Sequence, residues 1–185
     1  MSTKDIASFS PKPDQTFIMD TNILIKLFYP GLSGKNTRIY ENFFVQIRKQ
    51  KSILLMTAIQ ISEFINRCIR FQYNLWADEQ DPYHSDFKKD YRNTDDYRES
   101  MGVILDVINN DISPNVTYTD DKFSCMDTNR LYQYGFSYDF NDALVAETTR
   151  LHNAILVTDD RDFANYASNI DIVTGNQTLL MFNKH

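Results

Sequence analysis

Apolar residues in this chain come in short runs, and each run is closed by a polar residue. Phe17-Ile18-Met19 stops at Asp20-Thr21-Asn22, Ile53 to Met56 at Thr57, and Ala154 to Val157 at Thr158-Asp159-Asp160. Brief uninterrupted runs of this kind predict strands covered on both faces. Ile170 to Val173 repeats the pattern, and Asn115 to Tyr118 is a weaker version of it. Between the runs the spacing becomes helical. Ile23, Leu24, Ile25, Leu27 and Phe28 form one such group, and Ile39, Tyr40, Phe43, Phe44 and Ile47 a second after a turn at 30–34. Ile61, Ile65 and Cys68 follow Thr57, which is placed to cap their helix. Tyr97, Met101, Ile104, Leu105 and Ile108 mark a helix ending near Asn109-Asn110, and Leu131 and Tyr134 a short one stopping at Gly135. Asp139 to Asp142 open a strong helix through Glu147.

Strands alternating with helices predict an α/β fold, with a central, mostly parallel five-stranded sheet flanked by helices. Residues 1–15 lack a period and read as a flexible N-terminal tail, leaving 16–185 as the folded domain. Residues 72–115 are polar and aromatic for much of their length and read as a helical insertion. In open α/β sheets, function gathers beyond the carboxyl ends of the strands, where Asp20 and the Thr158–Asp160 stop are expected.

Composition narrows the chemistry. With 185 residues, 42% hydrophobic, the chain suits one domain with a real core, and 13 Phe and 11 Tyr argue against disorder. No apolar run exceeds four residues, which excludes a membrane-spanning helix and makes a cytoplasmic setting the expectation. Cys68 and Cys125 are too few for a disulfide scaffold and have no metal-ligand spacing. His84, His152 and His185 form no HExxH arrangement, and no GxSxG elbow accompanies them, so zinc hydrolases and serine triads are disfavoured. Gly31 to Lys35 is too short for a phosphate loop. The chemistry is left to carboxylates.

Net charge is −6, which on its face opposes nucleic-acid binding. The charge is uneven, however. Residues 1–92 hold 13 Lys+Arg and 10 Asp+Glu, while residues 93–185 hold 6 and 15. Between Lys26 and Arg70 stand eight bases against Glu41 and Glu63 alone. A basic approach surface beside an acidic, cation-collecting pocket fits this asymmetry, as do ordinary solvated helix faces. Arg67, Arg70, Lys26 and Arg38 are the candidates for phosphate contact.

Asp20 and Asp160 end strands, and Glu63 and Asp142 stand near helix starts. If they converge, four carboxylates cannot all stay ionised without compensation, and one or two hard cations, Mg²⁺ or Mn²⁺, are the natural remedy. Such ions activate a water and steady the leaving oxygen of a phosphodiester.

Phe17-Ile-Met-Asp20-Thr21-Asn22, a Glu on the helix after the second strand, Asp142-Ala-Leu-Val-Ala-Glu-Thr and Leu156-Val-Thr158-Asp-Asp160-Arg-Asp162-Phe163 resemble the PIN-domain ribonucleases, which include the VapC-like toxins. The resemblance spans about residues 16–182 in the right order. It implies a PIN-like nuclease domain, a metal-dependent endoribonuclease acting on RNA, with Asp20, Glu63, Asp142 and Asp160 as catalytic and metal-binding acids. Asp162 would support the metal, and Thr21, Asn22 and Thr158 would be polar helpers. For a toxin it further implies an antitoxin protein, and for the family a homodimer. A non-catalytic PIN-like RNA- or protein-binding module and a housekeeping RNA-processing nuclease are the alternatives.

Each residue also has a plainer use. Asp20 suits a helix cap, Glu63 an i,i+4 pair with Arg67, and Asp139 the cap of the helix that carries Asp142, with a place in the metal shell left open. Asp159 reads as solvated. Met126-Asp127-Thr128-Asn129 repeats Met19 to Asn22 letter for letter, but no apolar strand precedes it. An aspartyl-nucleophile phosphohydrolase is disfavoured by Asn22, where Asp is expected.

Overall fold

The computed structural model describes residues 2–32, 37–80, 86–137, 139–166 and 169–182. Strands β1 (Thr3–Asp5), β2 (Thr16–Met19), β3 (Ile53–Met56), β4 (Thr117–Tyr118), β5 (Ile155–Val157) and β6 (Asp171–Thr174) form one sheet in the order β1-β6-β5-β2-β3-β4. Every pairing is parallel. The helices are α1 (Thr21–Phe28), α2 (Thr37–Gln50), α3 (Ala58–Glu79), α4 (Asp95–Asp106), α5 (Thr128–Ser137), α6 (Phe140–Leu151) and α7 (Gln177–Phe182).

The strands are apolar throughout because both sheet faces are covered. Phe17 and Met19 point with Leu54, Met56, Val157 and Val173 into a core completed by residues of α1 to α4, among them Ile23, Phe43, Phe64 and Ile104. Ile18, Leu156 and Ile172 point the other way, onto Leu131, Ala143, Phe163 and Leu179. The period of two along each strand thus separates two cores, each apolar.

From β2 the chain crosses to β3 and β4 on one side, then returns to β5 and β6 on the other. The loops after β2 and β5 therefore diverge, and the crevice between their carboxyl ends is the topological switch point, where open α/β sheets bind ligands.

The sheet has six strands rather than the five expected, because residues 1–15 carry β1. Its ladder on β6 continues as Ile6 N–H to Thr174 O at 2.9 Å, and the Ile6 side chain is buried. Only three residues pair, too few for a periodic signal. The weak strand at 115–118 is reduced to Thr117–Tyr118. Residues 72–115 are largely helical where described: α3 runs on to Glu79, and α4 continues into a π-helical turn at Val107–Ile112. α5 passes Gly135 instead of stopping there. Among the described residues no helix is long and apolar enough to cross a membrane.

Candidate active site

Asp20 occupies the cap position of α1, yet its side chain makes no cap bond. Its Oδ2 instead accepts from Thr158 Oγ1 at 3.0 Å and from Asn22 Nδ2 at 3.2 Å. The backbone reinforces the placement, since Asp20 N–H donates to Val157 O at 2.9 Å and so extends the β2–β5 ladder by one bond. With 5% of its surface exposed, Asp20 is the most buried of the four acids.

Asp160 is joined to it from β5. Asn22 Nδ2 lies 3.4 Å from Asp160 Oδ2, and Asp160 N–H donates to Thr158 Oγ1 at 3.0 Å. One Thr158 hydroxyl thus holds the Asp20 carboxylate and the Asp160 backbone. Glu63 reaches in from α3, where Thr21 Oγ1 donates to its Oε2 at 2.9 Å and Arg67 stands 3.8 Å from Oε1. Arg67 also donates to Asn22 Oδ1. The start of α3 is docked by Gln60: its Oε1 accepts Thr57 N–H at 2.9 Å and its Nε2 donates to Met19 O at 2.6 Å, one turn before Glu63. Asp142 comes from the first turn of α6, which Asp139 caps by accepting Asn141 N–H at 2.7 Å.

These acids feel one another. Burial first, then Glu63 and Asp160, push Asp20 up to about 7, although the Thr158 and Asn22 hydrogen bonds pull the other way. Asp142 is raised to about 8 by burial and then by Asp20, Asp160, Asp139 and Glu63. Four acids predicted from four separate motifs, and Asp139 with them, thus meet in one electrostatic site. Among the described residues, no three acids or other metal-binding side chains already stand at ligand spacing. The set fits a divalent cation by its chemistry, hard oxygen donors of which Asp20 and Asp142 are pushed up by burial and like charge, rather than by a finished shell.

Asp162 stands apart. It is exposed, its N–H donates to Asp160 Oδ1 at 3.0 Å, and its carboxylate lies 3.8 Å from Arg161. The largest charges acting on Asp20 and Asp142 are those of the other acids.

Asp159 is not solvated: it is ion-paired with Lys26, and both side chains are largely buried. Lys26 follows Asn22 by one helical turn, so one face of α1 meets Asp160 and Asp159 in succession. Lys26 also lies 5.3 Å from the Tyr40 ring centroid, Asn176 Nδ2 donates to Asp159 O at 2.6 Å, and Tyr40 accepts Gly175 N–H at 3.0 Å. Lys26 is therefore engaged within the fold rather than offered to phosphate. The sequence reading missed this clamp and Gln60. The Thr57-x-x-Gln60 capping box was a legible signal for Gln60; Tyr40 carried none, since its ring reads as core.

Asp127, in the repeated Met-Asp-Thr-Asn, accepts the N–H groups of Asn129 and Arg130 at 3.1 and 3.3 Å and is exposed. It is the helix cap that Asp20 is not. His152 meets Asp120 O at 2.8 Å. His84, His185 and the 33–35 part of the loop at Gly31 lie outside the described residues.

A family model, PIN domain, matches residues 17–169. The chain belongs to the PIN domain family. PIN domains are generally nucleases. A search of curated proteins finds no match. Among solved structures, this PIN domain is similar to a chain in the crystal structure of VapBC2 from Rickettsia felis bound to a DNA fragment from their promoter. Identity is 14%, TM-score 0.51, and coverage 86% of this chain and 98% of that one. PAE2754 from Pyrobaculum aerophilum is covered over 100% of both chains at 13% identity and a TM-score of 0.46. At such identity the VapBC2 likeness speaks for the fold alone.

Proposed function

We propose that this PIN domain is a divalent-metal-dependent endoribonuclease and the toxin of a toxin–antitoxin pair. The observation that carries the reading is the meeting of Asp20, Glu63, Asp142 and Asp160 at the switch point, with Asp20 freed from capping by Thr158 and Asn22. One or two Mg²⁺ or Mn²⁺ ions, when bound, supply an activated water and offset the charge that builds on the phosphoryl oxygens.

The chain's own residues do the rest. Asp20, Glu63, Asp142 and Asp160 offer carboxylate oxygens. Thr158 and Asn22 both take Asp20 at Oδ2. Asn22 couples Asp20 to Asp160, and Thr21 orients Glu63. Burial first, then the neighbouring acids, raise the Asp142 carboxyl to about 8, so in the metal-free protein it holds a proton at neutral pH that a bound cation would displace. RNA as substrate follows the family resemblance. The toxin role, an antitoxin partner and a homodimer follow the same resemblance, supported by a fold like that seen in VapBC2.

The test is cleavage of labelled single-stranded RNA with Mg²⁺ or Mn²⁺, with EDTA, and with Asp142→Asn purified identically and shown to be folded. Metal-dependent cleavage that falls at least about a hundredfold in the variant is expected, the scale of losing one preorganised electrostatic group. Folded wild type that neither cuts RNA nor binds Mn²⁺ in a calorimetric titration overturns the proposal. For the toxin role, growth arrest on expression, relieved by a small neighbouring reading frame, is the expected outcome.

A further inference from the structure

On α3, Glu63 is followed along one face by Arg67 and Arg70, four and seven residues on. At about 1.5 Å per residue they stand about 6 and 10 Å along the axis, leading away from the acids. Both are exposed, and Asn66 and Asn74 continue the same polar stripe. Arg67 is tied to the cluster through Asn22 and Glu63.

Arg70 is held differently. Its guanidinium lies over the Phe87 ring, 3.9 Å from the centroid, and Arg92 takes the same ring at 5.2 Å. Phe87 is itself packed by Tyr73, Tyr91 and Tyr97, with ring centroids at 5.3, 5.9 and 6.4 Å. Two cations are thus braced on one rigid ring, and neither forms an ion pair with a described carboxylate. The acids of that segment face the backbone: Asp86 accepts the N–H groups of Lys88 and Lys89, and Asp90 accepts that of Asp86.

Two neighbouring like charges repel, and free surface arginines relieve this by spreading into water. Here the shared ring holds both guanidinium groups close by while both residues stay exposed. A planar guanidinium pre-organised in this way suits a phosphate better than a mobile side chain does.

The geometry points to a phosphate rail: Arg67, Arg70 and Arg92 hold successive phosphates of a single-stranded polynucleotide running from the acid cluster along the outer face of α3. This rests on the nuclease reading and adds to it the path of the substrate. The rail reads charge and not bases, so it is sequence-independent. It also reconciles a chain of net charge −6 with a polyanionic substrate, because the bases are collected where the strand leaves the acids.

The test reads binding and not cleavage, so its failure is separate from failure of the nuclease reading. In an Asp142→Asn background and in EDTA, the affinity for a fluorescent twelve-nucleotide RNA is measured over a range of salt concentrations. Arg70→Gln with Arg92→Gln removes both charges at exposed positions. The slope of log affinity against log salt should become shallower by about 1.4, at about 0.7 for each phosphate of a single strand that is no longer neutralised. Arg70→Lys with Arg92→Lys should restore most of it. Arg48→Gln with Lys49→Gln, at the opposite end of the sheet, is the charge-matched control and should change the slope less than the rail variant does. A DNA oligomer of the same length should show the same change, because the rail does not read the 2′-hydroxyl. A rail variant with unchanged slope, a control whose slope falls as much, or a folded parent that binds no oligomer overturns the proposal.

Discussion

Asp20 and Asp142 are acids whose burial works against their charge, and that has a measurable consequence. Their folded values, about 7 and about 8, lie above the ordinary carboxylate value of 3.8. Between these limits the folded state binds more protons than the unfolded chain, so stability falls as pH rises from about 4 to about 8. Thermal unfolding without added metal should therefore give a higher midpoint at pH 5 than at pH 8, and Asp142→Asn should flatten the difference. Mn²⁺ should raise the midpoint most at pH 8, where both acids are free to ionise. A metal-free protein that gains stability between pH 5 and pH 8 would contradict the burial that defines this pair. Asp20 was legible in the sequence because an apolar run ends on it. That its side chain answers to Thr158, 138 residues away, was not.

At the scale of elements, the turn after β5 is held from several sides. Lys26 of α1 pairs with Asp159, Asn176 takes its carbonyl, and Asn22 meets Asp160. The clamp fixes where Asp160 and the Thr158 hydroxyl stand, so loosening it should reach the site. Lys26→Met leaves a carboxylate largely buried and unpaired. It should cost less than the about 3–5 kcal/mol of breaking a fully buried pair, because both groups keep some access to water. Chemical denaturation measures the loss, and Lys26→Met with Asp159→Asn should recover part of it. A double variant as unstable as the sum of the singles would show that the two residues do not act as a pair. The helices holding these groups were legible from their 3.6-residue spacing. Which face of α1 meets which loop depends on the strand order.

For the whole molecule, the order β1-β6-β5-β2-β3-β4 brings the acids together: it sets β2 beside β5 and opens the switch point between them. The same order leaves β1 as an edge strand over β6, tied by Ile172 N–H to Ser2 O at 3.0 Å and by Ser2 N–H to Asp171 Oδ1 at 2.7 Å. Deleting residues 2–9 should remove the burial of Ile6 alone at about 1.5–3 kcal/mol, and should leave β6 as an unpaired edge. A lower unfolding midpoint with increased light scattering on heating is the expected result. An unchanged midpoint would make β1 dispensable.

Local pattern was enough for five of the six strands, the one at 115–118 in part, for most helix starts, and for naming Asp20, Glu63, Asp142 and Asp160 as candidates. Strands buried on both faces and acids that close apolar runs leave marks within a few residues of themselves. Tertiary structure alone decided that β1 joins the sheet, that Asp159 is paired, and that Asp162 stands at the rim. It also decided that Arg70 and Arg92 share one ring. The physical reason is the same in each case: partners distant along the chain supply the interaction, and a single stretch of sequence carries no record of which face a distant segment will cover.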